Sequence, residues 1–342
     1  MNLSQAFKNK NILITGHTGF KGFWLSLWLK KLGANVHGLS LNKHNNISKN
    51  IIKFYNNDLK NNYCDITSFE KTNKIISKIK PDYIFHLAAQ AIVAESYSDP
   101  KNTWSTNVFG TQSILESLRN LKKKCICVFI TSDKCYENNE WIWGYKENDR
   151  LGGSDPYSSS KASCELLIKS YYKSFFSKNN NIKIASARAG NVIGGNDWSK
   201  YRLIPDIVRS WSKELNVNIR NPKSTRPWQH VLEPINGYLT LAKKLTTDKN
   251  INGESYNFGP SSIENYTVEF IIEACSKLWD GKKWNISKNK FKESGLLKLN
   301  SDKANEQLKW KSKLNINQTL NLTIDWYKQY YQNSKNIIDY TY

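Results

Sequence analysis

NILITGHTGFKGFWLSLWLKKL, residues 11–32, decides the fold of this chain. Asn11 to Thr15 is a short apolar run of strand character, and Phe20 to Leu32 reads as an apolar-rich helix. Between and just beyond them stand Gly16, Gly19 and Gly22. In a strand-turn-helix each glycine has a task. Gly16 permits the tight turn, Gly19 lets the backbone approach a pyrophosphate at the helix N-terminus, and Gly22 lets helix and strand pack closely. A glycine triplet alone could be an ordinary turn; its place between a strand and a helix points instead to a dinucleotide cradle. The candidate cofactor residues there are Gly16, Thr18, Gly19, Phe20, Lys21 and Gly22.

Working outward, short apolar runs alternate with helical patterns. Val36 to Leu41, Asp82 to Leu87, Cys125 to Thr131 and Ile182 to Arg188 read as strands. Thr103 to Leu118 and Tyr157 to Phe176 read as helices. Strict alternation argues an α/β fold, a doubly wound parallel sheet of Rossmann type covered on both faces. The second half is less regular and is punctuated by Pro205, Pro222, Pro227, Pro234 and Gly259-Pro260. It predicts a smaller, mixed α/β substrate lobe. The expected division gives residues 1–190 with roughly 230–258 to the dinucleotide domain, and roughly 191–229 with 259–342 to the lobe. A length of 342 residues suits one large α/β unit plus such a lobe.

The second strand commonly ends in a carboxylate when a ribose hydroxyl is to be bound. Here it reads GLSLNK, residues 38–43, with none. Ser40 or Asn42 can bond a ribose, and Lys43 can attract an extra phosphate, so NAD and NADP both stay open on the residues alone. Asp65-Ile66 is a candidate adenine contact, and Asp65 can equally cap a helix before Thr67.

YSSSK, residues 157–161, places a phenol and an ammonium on one helical face. A tyrosine with its ordinary pKa of ~10 is a poor base at neutral pH. A neighbouring lysine cation favours the phenolate, which can then take a hydroxyl proton while hydride leaves carbon. An incidental Tyr and Lys on an exposed helix would show the same spacing. The pair gains force from TSDK, residues 131–134, at the end of a strand that should face the cofactor crevice. Ser132 can bond the same hydroxyl as Tyr157. Asp133 and Lys134 add an acid and a base that a plain oxidoreductase or an epimerase does not need. Once a sugar C4 hydroxyl is oxidised, the C5 proton is acidic. A desolvated Lys134 can remove it, and a protonated Asp133 can donate to the departing C6 hydroxyl. A solvated turn carrying Asp and Lys is the plainer alternative.

The chain carries 50 Lys and Arg against 29 Asp and Glu, a formal charge of +21. The lysines are scattered among asparagines and isoleucines, with no basic cluster interleaved with aromatics, so nucleic acid is not the expected partner. Cys64, Cys125, Cys127, Cys135, Cys164 and Cys275 fit no metal-ligand spacing and read as reduced structural thiols; no metal is expected. The opening MNLSQAFKNKNILITG has no signal-peptide pattern, and no long uninterrupted apolar window predicts a membrane span. The expectation is a soluble, cytoplasmic protein.

The chain resembles the extended short-chain dehydrogenase/reductase family, whose members carry GxxGxxG rather than GxGxxG. Within it, the similarity is to the CDP-glucose 4,6-dehydratases. The resemblance rests on TGHTGFKGFWLSLWL (15–29), HLAAQAIV (86–93), TSDKCYEN (131–138), WGYKENDRLGGSDPYSSSKASCE (143–165), RAGNVIGGNDW (188–198), RLIPDIVRS (202–210) and RPWQHVLEP (226–234). It implies NAD as cofactor, CDP-D-glucose as substrate and a 4-keto-6-deoxy sugar as product, on the way to deoxysugars of surface polysaccharide. It also implies Ser132, Asp133, Lys134, Tyr157 and Lys161 as catalytic residues, and Leu87, Ala88 and Ala89 as cofactor contacts. Gln90, Asn191, Arg226 and His230 would serve the substrate, although His230 reads on its own as a structural residue. Trp228, Trp141 and Trp143 could shield the sugar or simply pack. The family's four-helix contact implies a homodimer through Thr103 to Leu118 and Tyr157 to Phe176. The rivals are a dehydratase or epimerase for another nucleotide sugar, and a non-catalytic nucleotide-sugar-binding protein, against which the intact catalytic set argues.

Overall fold

A computed structural model of the protein describes residues 2–41, 48–261, 265–287 and 295–342. Six parallel strands come first in the chain: β1 (Asn11–Thr15), β2 (Asn35–Ser40), β3 (Lys60–Tyr63), β4 (Tyr83–His86), β5 (Cys125–Ile130) and β6 (Ile182–Ala189). Ser255–Phe258 adds a seventh, pairing parallel to β6. Across the sheet the order is Ser255–Phe258, β6, β5, β4, β1, β2, β3. β1 lies between β2 and β4, with Thr15 opposite both Leu39 and His86. The strand order therefore reverses beside β1, which opens a crevice at the carboxyl ends of the strands. β1, β4 and β5 are buried nearly throughout because helices cover both faces. One face packs with Phe23, Leu27, Ile235 and Leu239, the other with Ile114, Leu118, Ile168 and Phe176.

The predicted strands and helices are present, with edges moved by local chemistry. The helix expected from Thr103 begins at Pro100, since Asp99 caps it by accepting from the Asn102 amide at 3.0 Å. It passes through a π-helical turn at Ser105–Phe109 and continues as Gly110–Asn120. The helix Pro156–Tyr171 starts one residue early because Asp155 accepts from the Ser158 amide at 2.9 Å and Pro156 holds the first turn. The same sequence logic missed both caps.

The second half holds three short strand pairs. Val192–Ile193 lies beside Gln229–His230, Thr225–Arg226 beside Tyr266–Thr267, and Val217–Ile219 beside Trp284–Ile286. Its core is continuous with that of the sheet layer through Trp211, Leu320 and Trp326. The C-terminal residues, expected wholly in the smaller lobe, return to the sheet layer. The last helix, Ile337–Thr341, packs on the helix Lys49–Asp58, and the Asn50 amide donates to the Ser334 carbonyl at 2.9 Å.

One buried polar network fixes the end of β5. Glu165 is four residues beyond Lys161 on the same helical face. Its carboxylate pairs with Arg188 of β6 at 2.8 Å and accepts from Thr131, from Ser186 at 2.7 Å and from Ser255 at 3.1 Å. Arg188 also donates to the Tyr136 hydroxyl at 2.7 Å and the Glu147 carbonyl at 3.1 Å. Burial alone would raise the Glu165 carboxyl, but the Arg188 charge and the hydrogen bonds outweigh it and hold it below the usual range. Removing one partner leaves the other charge buried and unpaired. Glu165→Ala should cost about 3–5 kcal/mol of stability, read by urea denaturation. Because the folded-state value is depressed, the wild-type contribution is full above the ordinary glutamate value of ~4.3 and fades as pH falls through the folded value. A variant within about 0.5 kcal/mol of wild type at pH 7 would contradict this account.

Candidate active site

A single cleft of about 1660 Å³ runs along the carboxyl ends of the strands. Pockets for one small ligand typically occupy ~300–1,000 Å³, so this one has room for two. One end is lined by Ser40, Leu41, Asp65 and Ile66, the middle by Gly16 to Gly22 and Leu87 to Ala89, and the far end by Asn191, Arg226 and Trp228. Ser132, Asp133, Lys134, Tyr157 and Lys161 lie between.

The glycine turn has the form a dinucleotide needs. Gly16 sits at φ +73°, and a Cβ there would stand 2.8 Å from the Ala88 amide nitrogen. A Cβ at Gly22 would overlap the Gly16 carbonyl, so helix and turn can approach only without side chains. The helix Phe20–Lys31 begins directly at the turn and presents its N-terminus to the cleft. Thr15 steadies the neighbouring loop, its Oγ1 accepting from the Leu87 and Ala88 amides at 3.1 and 3.2 Å. These residues fit a dinucleotide. Asp65 caps no helix: its Oδ1 accepts from the Thr67 amide at 2.9 Å and the Thr67 hydroxyl at 2.8 Å, while Ser68 occupies the cap of the next helix. Ser40 reaches the cleft, whereas Asn42 and Lys43 lie outside the described residues.

At the end of β5 the chain enters a short turn, Asp133–Cys135. The Ser132 hydroxyl accepts from the Lys134 amide at 3.2 Å and donates to Asp133 Oδ1 at 2.9 Å. Asp133 is buried against Gly190, where any Cβ would overlap its carboxylate. Asp133 Oδ2 has no hydrogen-bond partner among the described residues. Lys134, expected to be desolvated, is only half-buried.

The electrostatics of Tyr157 differ from the expectation that Lys161 would make it a phenolate. Burial dominates and pushes the phenol up to about 12. The Ser132 hydrogen bond and the Arg202 guanidinium pull it down, while Asp133 and Asp155 push it further up. Lys161 is itself buried, and burial lowers its pKa against the opposing pull of Cys164 and Glu165. Lys21 was expected to serve the cofactor loop. It is fully enclosed, lies 3.4 Å from the Tyr238 hydroxyl, and is brought down to about 8 by burial and by Arg202. Arg202, overlooked as a site residue on sequence grounds, pairs with Asp197 at 2.9 Å and lines the cleft beside the catalytic turn. Its signal lay in RLIPD, but an arginine at a helix start gives no hint of direction.

The remaining candidates are placed as follows. His230 is buried away from the cleft lining, edge-on to Trp24 at 5.7 Å, and burial takes it down to about 4. Its surroundings fit the structural reading of this residue. Gln90 lines the cleft but spends its amide on its own loop, donating to the Ile92 carbonyl at 3.0 Å and the Thr103 hydroxyl at 2.9 Å. Neither Trp141 nor Trp143 lines the cleft: Trp141 stacks on Tyr145 at 5.6 Å, and Trp143 is 60% exposed. Trp228 does line the cleft and also packs, its indole donating to the Tyr266 carbonyl at 3.2 Å. Asn191, at φ +34°, and Arg226 both line the cleft, and Arg226 donates to the Thr225 and Gly295 carbonyls at 2.7 and 3.2 Å. The six cysteines are free thiols. Among the described residues no helix is long and apolar enough to cross a membrane.

Comparison with known proteins agrees with this geometry. Residues 13–323 match the family model described as GDP-mannose 4,6 dehydratase. The CDP-glucose 4,6-dehydratase of Salmonella typhimurium is 44% identical over 338 residues, covering 97% of this chain and 94% of that one. The UDP-glucose 4-epimerase of Mycoplasma genitalium is 24% identical, over 94% of this chain and 98% of its own. Among solved structures, an epimerase of Methanothermobacter thermautotrophicus superposes with a TM-score of 0.85 at 23% identity, covering 97% and 96% of the two chains. A dTDP-glucose 4,6-dehydratase of Bacillus anthracis, solved in complex with NAD, superposes at 0.77 with 20% identity over 95% and 99%. With its glycine turn, its Tyr-Lys helix and an added acid-base pair in one cleft, the chain belongs to the nucleotide-sugar 4,6-dehydratase branch of the extended short-chain dehydrogenase/reductase family.

Proposed function

We propose that this enzyme converts CDP-D-glucose to CDP-4-keto-6-deoxy-D-glucose with a retained NAD. The observation that carries the reading is the convergence of Tyr157, Ser132, Asp133 and Lys134 in one cleft: a redox set and an elimination set side by side. The Salmonella relative supports the choice of cytidine diphosphate sugar. NAD would be held by Gly16, Thr18, Gly19, Phe20, Lys21 and Gly22 at the pyrophosphate, by Asp65 and Ile66 at the adenine, and by Leu87 to Ala89. When bound, it supplies the acceptor that takes hydride from C4 and gives it back at C6.

The chain's own groups move the protons. Tyr157 takes the C4 hydroxyl proton, with Lys161 as a buried neighbouring cation on the same helical face. Lys134 removes the proton from C5, made acidic by the new C4 ketone, and Asp133 protonates the departing C6 hydroxyl. Lys134 then returns its proton to C5. Arg226 and Asn191 face the substrate end of the cleft, where a guanidinium suits a diphosphate. The division into a dinucleotide domain and a substrate lobe follows the cleft, with the sheet layer on one side and residues 191–229 on the other.

The helices Pro100–Asn120 and Pro156–Phe176 carry exposed apolar side chains, among them Phe109 at 57% and Leu166 at 58%. These suit burial between two copies of the chain.

With CDP-, dTDP-, UDP- and GDP-hexoses offered in parallel, only CDP-glucose should give the alkali-induced absorbance of a 4-keto sugar. Deuterium at C4 should reappear at C6. Release of NADH in step with product would instead indicate a simple dehydrogenase, and absence of solvent hydrogen at C5 would favour an epimerase. Tyr157→Phe should abolish both NAD reduction and dehydration. Lys134→Met should still reduce bound NAD in a single turnover but lose about 10²–10⁴ in product formation and in C5 exchange. Wild-type exchange in that variant would remove Lys134 as the base. Light scattering at micromolar protein should give the mass of a dimer, and Leu166→Arg should shift it to monomer; a monomeric wild type would contradict the apolar-face argument.

A further inference from the structure

Arg202 and Arg226 both line the cleft, and they differ in what they have left to offer a ligand. Arg226 is buried and turns Nη1 to its own loop, donating to the Thr225 and Gly295 carbonyls at 2.7 and 3.2 Å. Arg202 keeps 34% of its side chain exposed. Its Nη1 donates to Asp197 Oδ2 at 2.9 Å, and a guanidinium has several donors beyond that single contact.

The contact is built to hold the arginine still. Asp197 is buried, and its backbone is clamped by Tyr327. The Asp197 amide donates to the Tyr327 hydroxyl at 3.0 Å, and the same hydroxyl donates back to the Asp197 carbonyl at 2.6 Å. Asp197 Oδ1 accepts from the Ser199 amide at 3.0 Å. A carboxylate fixed in this way orients one edge of the planar guanidinium, and the rest of the arginine forms part of the cleft wall.

The position follows from the course of the chain. Gly190 lies against the Asp133 carboxylate, and Asn191 and Gly194 continue the cleft wall. A Cβ at Gly194 would stand 3.4 Å from the Phe20 ring, at the start of the helix that follows the glycine turn. The chain thus runs from Asp133, past the cofactor turn, to Asp197 and Arg202. The neighbouring charges agree with this. Arg202 pulls down the Tyr157 phenol, and after burial it is the main cause that lowers Lys21. Cations crowded in this way are relieved by an anion between them.

A nucleotide sugar whose C4 hydroxyl meets Tyr157 carries its phosphates on the other side of the hexose. We propose that Arg202, braced by Asp197, binds the sugar-side phosphate of the substrate and so sets how far the hexose reaches toward Tyr157. The planar fork suits the task because it can meet two phosphate oxygens at once. Arg226, with Nη1 committed to its loop, is left for the phosphate on the nucleoside side.

The choice of ligands for the test rests on the CDP-glucose reading. Wild type, Arg202→Met and Arg202→Lys, each loaded with NAD, are titrated by calorimetry with CDP-glucose, CDP and CMP. CMP lacks the phosphate assigned to Arg202. Arg202→Met should weaken CDP-glucose and CDP by at least about tenfold and CMP by less than about threefold. Arg202→Lys, which keeps the charge but not the fork, should bind CDP between wild type and Arg202→Met. Equal losses for CDP and CMP would mean that the arginine serves the nucleoside end or the fold, and the assignment is overturned. Wild-type affinity for CDP in Arg202→Met overturns it as well. Should the methionine variant fail to fold, judged by circular dichroism and bound NAD, Arg202→Lys decides by the same comparison: a greater loss for CDP than for CMP supports the assignment, and equal losses sink it. The measurement needs no turnover, so wild type that binds CDP-glucose without converting it refutes the dehydratase reading alone. If wild type prefers another base, the choice of cytidine falls, and the comparison is read on the diphosphate and monophosphate of that base.

Discussion

The buried pair of Glu165 and Arg188 is the constraint on which the catalytic geometry depends. Two charges withdrawn from water are costly, and the pair persists because almost every polar atom is satisfied. Glu165 accepts from Arg188, Thr131, Ser186 and Ser255; Arg188 also reaches the Tyr136 hydroxyl and the Glu147 carbonyl. The partners come from a helix, from β6, from the strand Ser255–Phe258 and from the residues just after β5. The helix that carries Tyr157 and Lys161 is thereby tied to Thr131, the residue next to Ser132. Tyr136 extends the network to Asn257, whose amide holds the Tyr145 and Asn300 carbonyls at 2.9 and 3.1 Å. The network thus sets the position of Ser132 and of the Asp133 carboxylate that its hydroxyl meets at 2.9 Å.

A second consequence concerns charge. Lys21, Lys161 and Arg202 line the cleft near Asp133 and Asp197, two of the several carboxylates in its lining. Burial lowers both lysines, a sign that the cations are poorly compensated by the protein. These enclosed cations suit a diphosphate, whose charge would compensate them.

Much of the fold was legible because its signals are local. A glycine turn, an apolar strand and an i, i+4 pair each lie within a few residues, and the parallel sheet follows from their alternation. The acid and base roles expected of Asp133 and Lys134 came from their place at a strand end, and the family resemblance agreed with them. Legibility failed where a side chain's partner comes from a distant element. His230 sits in a motif that resembles a substrate loop, yet its ring is turned against Trp24. Gln90 follows the cofactor loop, but Ile92 and Thr103 claim its amide. Arg202 gave no warning of its direction, and the C-terminal helix gave none of its return to Lys49–Asp58.

The sequence by itself determined the architecture, the position of the glycine turn and the choice of candidate reacting groups. These depend on backbone sterics, on strand and helix periodicity and on residue chemistry, all of which act over short stretches of chain. Only the tertiary structure decided the burial that raises the Tyr157 phenol, the hydrogen bond from Ser132 to Asp133 and the seat of Asp133 against Gly190. Burial and hydrogen bonding are set by atoms far apart in the chain, and no reading along it brings Ser132, Tyr157 and Gly190 to one point.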